Sequence, residues 1–268
     1  MSEPATQSDV SDWWRTSIVD AKPGVLKFRG HAIEDLIGNV TFPQMAWLML
    51  RGDMPEAGQV KLFEAALVSA VDHGPQAPSI ACARMAVTCG LALNGALASA
   101  VNFLDDVHGG AGEQAMEVFH DIAARRENAA SLEDAVREGL DAFHASGKKY
   151  VPGFGHRFHK PEDPRSPRLF ALAGEAVKAG DISGRFIEIS TAVQAELTHR
   201  VGKPVPMNVD GATAAIYAEL GFAPALARGL FCLSRSVGIL AHAWEQMEQG
   251  VRIKGPTPRH YGWTYDGP

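Results

Sequence analysis

The chain has little cysteine, no long apolar run and no excess of positive charge. Its three cysteines, Cys82, Cys89 and Cys232, form no even-numbered disulfide framework and no C-x-x-C pair. Cys82 and Cys89 lie seven residues apart among apolar neighbours, so they are expected to share one helical face as small buried hydrophobes. No stretch approaches the roughly 18 continuous apolar residues of a membrane span. The start, MSEPATQSDVSDWW, shows no basic region followed by an apolar one. A cytoplasmic protein without a membrane partner is therefore expected. Lys plus Arg number 25 against 31 Asp plus Glu, and the net charge of −6 argues against a nucleic-acid partner. Positive charge gathers locally in Arg157, His159, Lys160, Arg165 and Arg168, which suits a small anionic ligand.

Strand signals are equally scarce. Ser17 to Gly30 reads as two short strands around a Lys22-Pro23-Gly24 turn, and nothing else does so convincingly. From Ile33 onward the periods are helical. Thr41 can cap a helix that stops near Gly52, and residues 55–71 carry Val60, Phe63, Leu67 and Val71 as a stripe. Residues 79–104 are apolar nearly all round, as a buried helix or helix pair would be. Further helices are expected over 113–124, 131–145, 166–179, 183–199, 211–220 and 224–248, followed by an extended tail from Gly250. Residues 1–12 read as a loose leader. No β-α-β alternation is present, which excludes a dinucleotide-binding sheet. The class is all-α, with one short N-terminal β-hairpin. At 268 residues, 46% apolar and 21% charged, the chain has the make-up of a globular enzyme of one large domain, or of one domain with a smaller lobe.

Four segments carry chemistry-bearing residues. In Asp105 to Glu113, DDVHGGAGE, glycines let a ligand or backbone approach His108 closely. No strand precedes this segment and no Lys-Ser/Thr follows it, so a phosphate loop is disfavoured. Read alone, His108 is as well explained as a cap or core residue. In Val151 to Arg165, VPGFGHRFHKPEDPR, a stiff loop leads to His156. A metal site on His156 and His159 lacks a third ligand at sensible spacing. Anion recognition by Lys160 and Arg165 is the better reading. In Lys203 to Gly211, Asp210 opens a helix, and read alone it is best taken as a plain N-cap. In Leu233 to Gln246, Arg235 sits in an apolar helix, where it needs a buried anion to pair with. His242, on the same face, reads as structural.

Together these segments resemble citrate synthases, in the same order and with similar spacing, from about Thr16 to Tyr261. VDHG, VHGGAGE, PGFGHR with DPR, NVD and SRSVGILAH carry the likeness. The resemblance implies an all-α, citrate-synthase-like fold. Its large domain would comprise 1–108 with 213–268, and a small domain, 109–212, would close over the site. It implies His108, His156 and Asp210 as catalytic residues, and His73, Arg165 and Arg235 as binders of the carboxylates. The backbone of Val151, Pro152, Gly153, Phe154 and Gly155 is expected to cradle the adenine of coenzyme A, with Lys160 and Lys203 as its basic contacts. The coenzyme A thioester is a substrate, and no permanently bound cofactor or metal is expected. A di- or tricarboxylate and a second copy of the chain, in a homodimer or larger homo-oligomer, complete the expected partners.

The departures point to a subgroup. Citrate synthases carry extra helices before the D-H segment and R-P-R near the C-terminus. Here Val71-Asp72-His73 follows the 55–70 helix at once, and Thr257 stands in place of the first tail arginine, with Arg252 and Arg259 as candidates to substitute. DHGP, NVDG and the short length look like citryl-CoA lyase, both the stand-alone enzyme and the C-terminal module of ATP-citrate lyase. The expected activity is cleavage of citryl-CoA, or of a related 3-hydroxy-3-carboxy acyl-CoA, to acetyl-CoA and oxaloacetate. Condensation of acetyl-CoA with oxaloacetate or another small keto acid is the alternative, and a non-catalytic acyl-CoA-binding scaffold the third reading.

Overall fold

The computed structural model describes residues 12–156 and 162–268. The all-α expectation holds: among the described residues there are eleven helices and one small sheet. The chain divides into two compact units, residues 1–61 and 62–268.

In the first unit, β1 (Val19–Lys22) and β2 (Val25–Phe28) pair antiparallel, with Lys22 opposite Val25 across the expected turn. A third strand, β3 (His31–Ala32), pairs with β2 and extends the expected hairpin. Two residues are too few to show an alternating pattern, which is why periodicity does not reveal it. After a single turn, α1 (Ile33–Leu36), comes α2 (Phe42–Arg51). Thr41 and Gln44 form a reciprocal capping box at its start, and left-handed Gly52 ends it, both where the sequence places them.

The helix α3 (Ala57–Ser69) precedes the segment that carries His73. The apolar stretch 79–104 is a helix pair, α4 (Pro78–Thr88) and α5 (Leu93–Val101), broken at Cys89-Gly90. Cys89 is exposed there, contrary to the expectation that it shares a buried face with Cys82, because it sits past the last helical turn. Next come α6 (Ala111–Arg125), α7 (Leu132–Ala145), α8 (Arg165–Ala179), α9 (Arg185–Val201) and α10 (Val209–Glu219). The last, α11 (Pro224–Glu248), is long and apolar enough by length and composition to cross a membrane. Here it packs against α4, α5 and α6.

Small side chains bring these helices close together. Ala77, Ile80 and Ala83 meet Ala96, Ala100 and Leu104 of the α5 region, and Ile239 and Ala243 of α11, in one buried cluster. The helix α10 is buried from Val209 to Ala218 apart from Asp210, and it packs against α6, α8, α9 and α11. Its Tyr217 meets Phe63 and Phe222 edge-on, and those two rings stack on each other. Each such buried ring contributes roughly 1.5–3 kcal/mol. Asp210 therefore stands as the one ionisable carboxyl in the first turns of a largely buried helix.

Candidate active site

Asn208, not Asp210, caps α10, which corrects the reading of Asp210 as a plain N-cap. The Asn208 side chain accepts from the N–H groups of Asp210 (2.9 Å) and Gly211 (3.3 Å). Both residues are good caps, and the one at the boundary prevails. Asp210, which does not cap the helix, lines a pocket with Ala70, Gly112, Thr213, Tyr217, Ala227 and Phe231. Burial raises its pKa, against the pull of Arg165 and Arg235, and Asp163 raises it further. A carboxyl held this way is suited to take up and return a proton.

The loop that carries His156 is tied to the same helix start. Asn208 N–H donates to the Gly153 carbonyl (2.9 Å), its side-chain amide donates to the Gly155 carbonyl (2.7 Å), and Gly155 N–H donates to the Pro206 carbonyl (2.7 Å). Backbone approaches backbone here: a Cβ on Gly153 would lie 2.7 Å from Gly211 Cα, and one on Gly211 would lie 2.4 Å from the Gly153 oxygen. Only glycine fits at both positions. Three backbone groups of Val151–Gly155, the expected adenine cradle, are thus engaged with 206–208, while Phe154 bridges Met207 and its ring packs on Phe119.

Arg165 and Arg235 both act on Asp210 through charge. Arg165 is held by Asp163, whose two oxygens accept from its Nε (2.9 Å) and a terminal nitrogen (2.8 Å). Asp163 also accepts from Val209 N–H (3.1 Å), so one buried carboxylate joins the starts of α8 and α10. Burial opposes this charge, yet Arg165 and the Val209 amide outweigh it and hold the pKa at about 2. Arg235 is 4% exposed, donates to the Ala70 carbonyl (2.9 Å) and lies over the Phe231 ring. Burial lowers its pKa, partly offset by Asp210 and Asp72.

His108 meets the start of α4. Ser79 N–H donates to its Nε2 (3.3 Å), and Ser79 Oγ lies 3.0 Å from the same atom. An accepted backbone N–H requires an unprotonated Nε2, so the neutral ring carries its proton on Nδ1. Burial lowers the His108 pKa, with Arg235 and His73 acting in the same sense. A neutral imidazole with a defined N–H can donate to an oxygen that gains charge. Arg228 holds the surrounding segment by donating to Asp105 and Asp106 on one side of His108 and to Glu113 on the other.

His73 and His156 lie with ring centroids 5.3 Å apart. The segment bearing His73 is anchored on α11. A Cβ on Gly238 would lie 2.1 Å from the Val71 oxygen, so glycine lets the two backbones touch. Asp72 accepts from Gly74 N–H (3.0 Å) and lies 3.3 Å from His242 Nε2. Burial raises the Asp72 pKa, but the Gly74 amide and His242 bring it below its usual value. His242 Nδ1 lies 3.0 Å from an Arg84 nitrogen, which completes the structural role expected for it.

The structure thus brings six candidates, His73, His108, His156, Arg165, Asp210 and Arg235, into one interacting cluster. Lys203 is exposed in the loop after α9, and Arg252, Thr257 and Arg259 are exposed in the tail. Lys160, Arg157 and His159 lie outside the described residues. Among the described residues no group of three or more His, Cys, Asp or Glu side chains is placed to hold a metal ion. Ser79, Asp163, Arg228 and Glu113 escape sequence reading, because each acts on a partner that only folding brings near. Asp163 alone gives a local hint, preceding Pro164 at a helix start.

The chain resembles known proteins along most of its length. The family model described as citrate synthase, C-terminal domain, matches residues 6–67 and 56–257. A citrate synthase of Haloferax volcanii is 32% identical over 219 residues, 80% of this chain and 53% of that protein. One of Acidithiobacillus ferridurans is 27% identical over the same length and share. The chain spans about half the length of these relatives. The structure of citryl-CoA lyase from Hydrogenobacter thermophilus superimposes with a TM-score of 0.82 at 33% identity, covering 96% of each chain. This chain belongs to the citrate synthase family.

Proposed function

We propose that the chain is a carbon–carbon lyase that cleaves citryl-CoA, or a related 3-hydroxy-3-carboxy acyl-CoA, to acetyl-CoA and oxaloacetate. The observation that carries this reading is the buried carboxyl of Asp210, which does not cap its helix and is set beside Arg165 and Arg235. The end-to-end likeness to a citryl-CoA lyase supports this direction over condensation.

In the proposed reaction, His156 takes the hydroxyl proton of the citryl group, and the carbon–carbon bond breaks to leave a keto acid and a thioester enol(ate). The N–H of His108 stabilises the enolate oxygen, and Asp210 returns a proton to the α-carbon. His73, Arg165 and Arg235 hold the carboxylates, and the Val151–Gly155 loop with Lys160 and Lys203 holds coenzyme A. Asp163 holds the guanidinium of Arg165 in place by accepting along its Nε edge. We place closure of a small domain, 109–212, over the site and the protein in the cytoplasm.

Purified protein given citryl-CoA should release acetyl-CoA and oxaloacetate; absence of cleavage across the pH range would overturn the assignment. The synthase reading keeps support from the sequence relatives, all of which that are cited above are citrate synthases. It predicts instead free coenzyme A from acetyl-CoA and a keto acid. A scaffold would bind coenzyme A without turnover.

A further inference from the structure

The helix α11 takes hold of the segment that ends in His73 residue by residue. Ser234 Oγ donates to the Leu67 carbonyl, Arg235 Nε donates to the Ala70 carbonyl (2.9 Å), and Gly238 lets the Val71 oxygen touch the helix. His242 comes last, with Nε2 3.3 Å from Asp72 Oδ1. Arg235, Gly238 and His242 recur at i, i+3 and i+7, so one face of α11 meets residues 70, 71 and 72 in turn.

Two observations fix where the His242 ring carries its proton. Asp72 Oδ2 accepts from Gly74 N–H (3.0 Å), and the His73 amide also faces this carboxylate. Its Oδ1 is buried with no other donor among the described residues, and a buried carboxylate oxygen needs one. On the far side of the ring, an Arg84 nitrogen lies 3.0 Å from Nδ1. A guanidinium only donates, so Nδ1 accepts and the proton sits on Nε2, towards Asp72. Arg84 is itself held by Glu245, by Gln246 (3.0 Å) and by Gln249 (3.2 Å). We propose that His242 is a positioning residue: through the chain Arg84–His242–Asp72 it fixes the turn that presents His73 to the acid half of the substrate. This rests on the assignment of His73 as a carboxylate binder. The helix α4 then acts on two histidines, on His108 through Ser79 and on His242 through Arg84.

Long-range proton–nitrogen NMR spectra at about pH 8, where an imidazole is neutral, read the tautomer directly. The His242 ring is identified as the signal lost in His242→Gln. It should carry its proton on Nε2, and Arg84→Met should remove that preference. A wild-type ring protonated on Nδ1 would overturn the proposal. The role is read from inhibition of citryl-CoA cleavage by oxaloacetate and, separately, by coenzyme A. His242→Leu offers neither donor nor acceptor. It should bind oxaloacetate about tenfold more weakly and coenzyme A within about twofold of wild type. Glutamine carries a donor and an acceptor on one amide, so His242→Gln should restore oxaloacetate to within about threefold. Unchanged oxaloacetate binding in His242→Leu, or equal weakening of both ligands, would overturn the positioning role and leave the lyase reading standing. Wild-type protein that neither cleaves citryl-CoA nor binds oxaloacetate would instead remove the lyase reading, and the role of His73 with it.

Discussion

Asp210→Asn keeps the shape of the side chain and removes its capacity to carry a proton. Turnover of citryl-CoA should fall by roughly 10²–10⁴, while coenzyme A thioesters still raise the melting temperature. Wild-type turnover in that variant would exclude Asp210 from the proton transfer. Asp163 is a different kind of residue, 1% exposed and shared between Arg165 and the start of α10. Asp163→Ala leaves a guanidinium and an amide without their acceptor and should cost about 3 kcal/mol in urea unfolding. Two histidines set a pH dependence. Burial lowers the pKa of His108 and of His120, whose Nε2 is buried without a hydrogen-bond partner among the described residues. Each folded ring binds a proton less readily than in the unfolded chain, where the value is near 6.5. Below that pH the unfolded chain holds more protons, so stability falls as pH drops. Unfolding midpoints should decline from about pH 7 to pH 5, and His120→Gln should flatten the slope. A midpoint that rises on acidification would contradict this account.

Between elements, the start of α10 is held by backbone contact with the Gly153–Gly155 loop. Gly211→Ala would place a methyl carbon 2.4 Å from the Gly153 oxygen. The loop would have to part from Asn208, costing about 2 kcal/mol and displacing His156 relative to Asp210. Calorimetry and turnover should both decline; an unchanged melting temperature would show that the loop is not so held. Element existence was largely legible, because α2, α6, α7 and α11 each have a cap or an apolar stripe that local chemistry writes. The two-residue strand β3 and the exposure of Cys89 were not. The first is defined only by its pairing with β2, and the second by where α4 ends.

At the scale of the whole molecule, α11 leaves an apolar face uncovered. Val237, Leu240, Trp244 and Met247 are 61%, 42%, 52% and 43% exposed and recur at helical spacing. We propose a second copy of the chain as its cover, since a stripe this apolar is rarely left to solvent. Light scattering behind size exclusion should give twice the chain mass, and Leu240→Glu with Trp244→Glu should halve it. A wild-type monomer at micromolar concentration would refute the dimer.

Helical class, segment order and the residue types able to move protons or bind carboxylates were determined by the sequence itself, because periodicity and side-chain chemistry are local properties. The tertiary structure decided which of those residues lie together. It settled that Asn208 and not Asp210 caps α10, that Asp163 holds Arg165, and that Ser79 sets the tautomer of His108. Each decision joins groups from different elements or chooses between two adequate local partners. Neither kind can be made until the chain has packed.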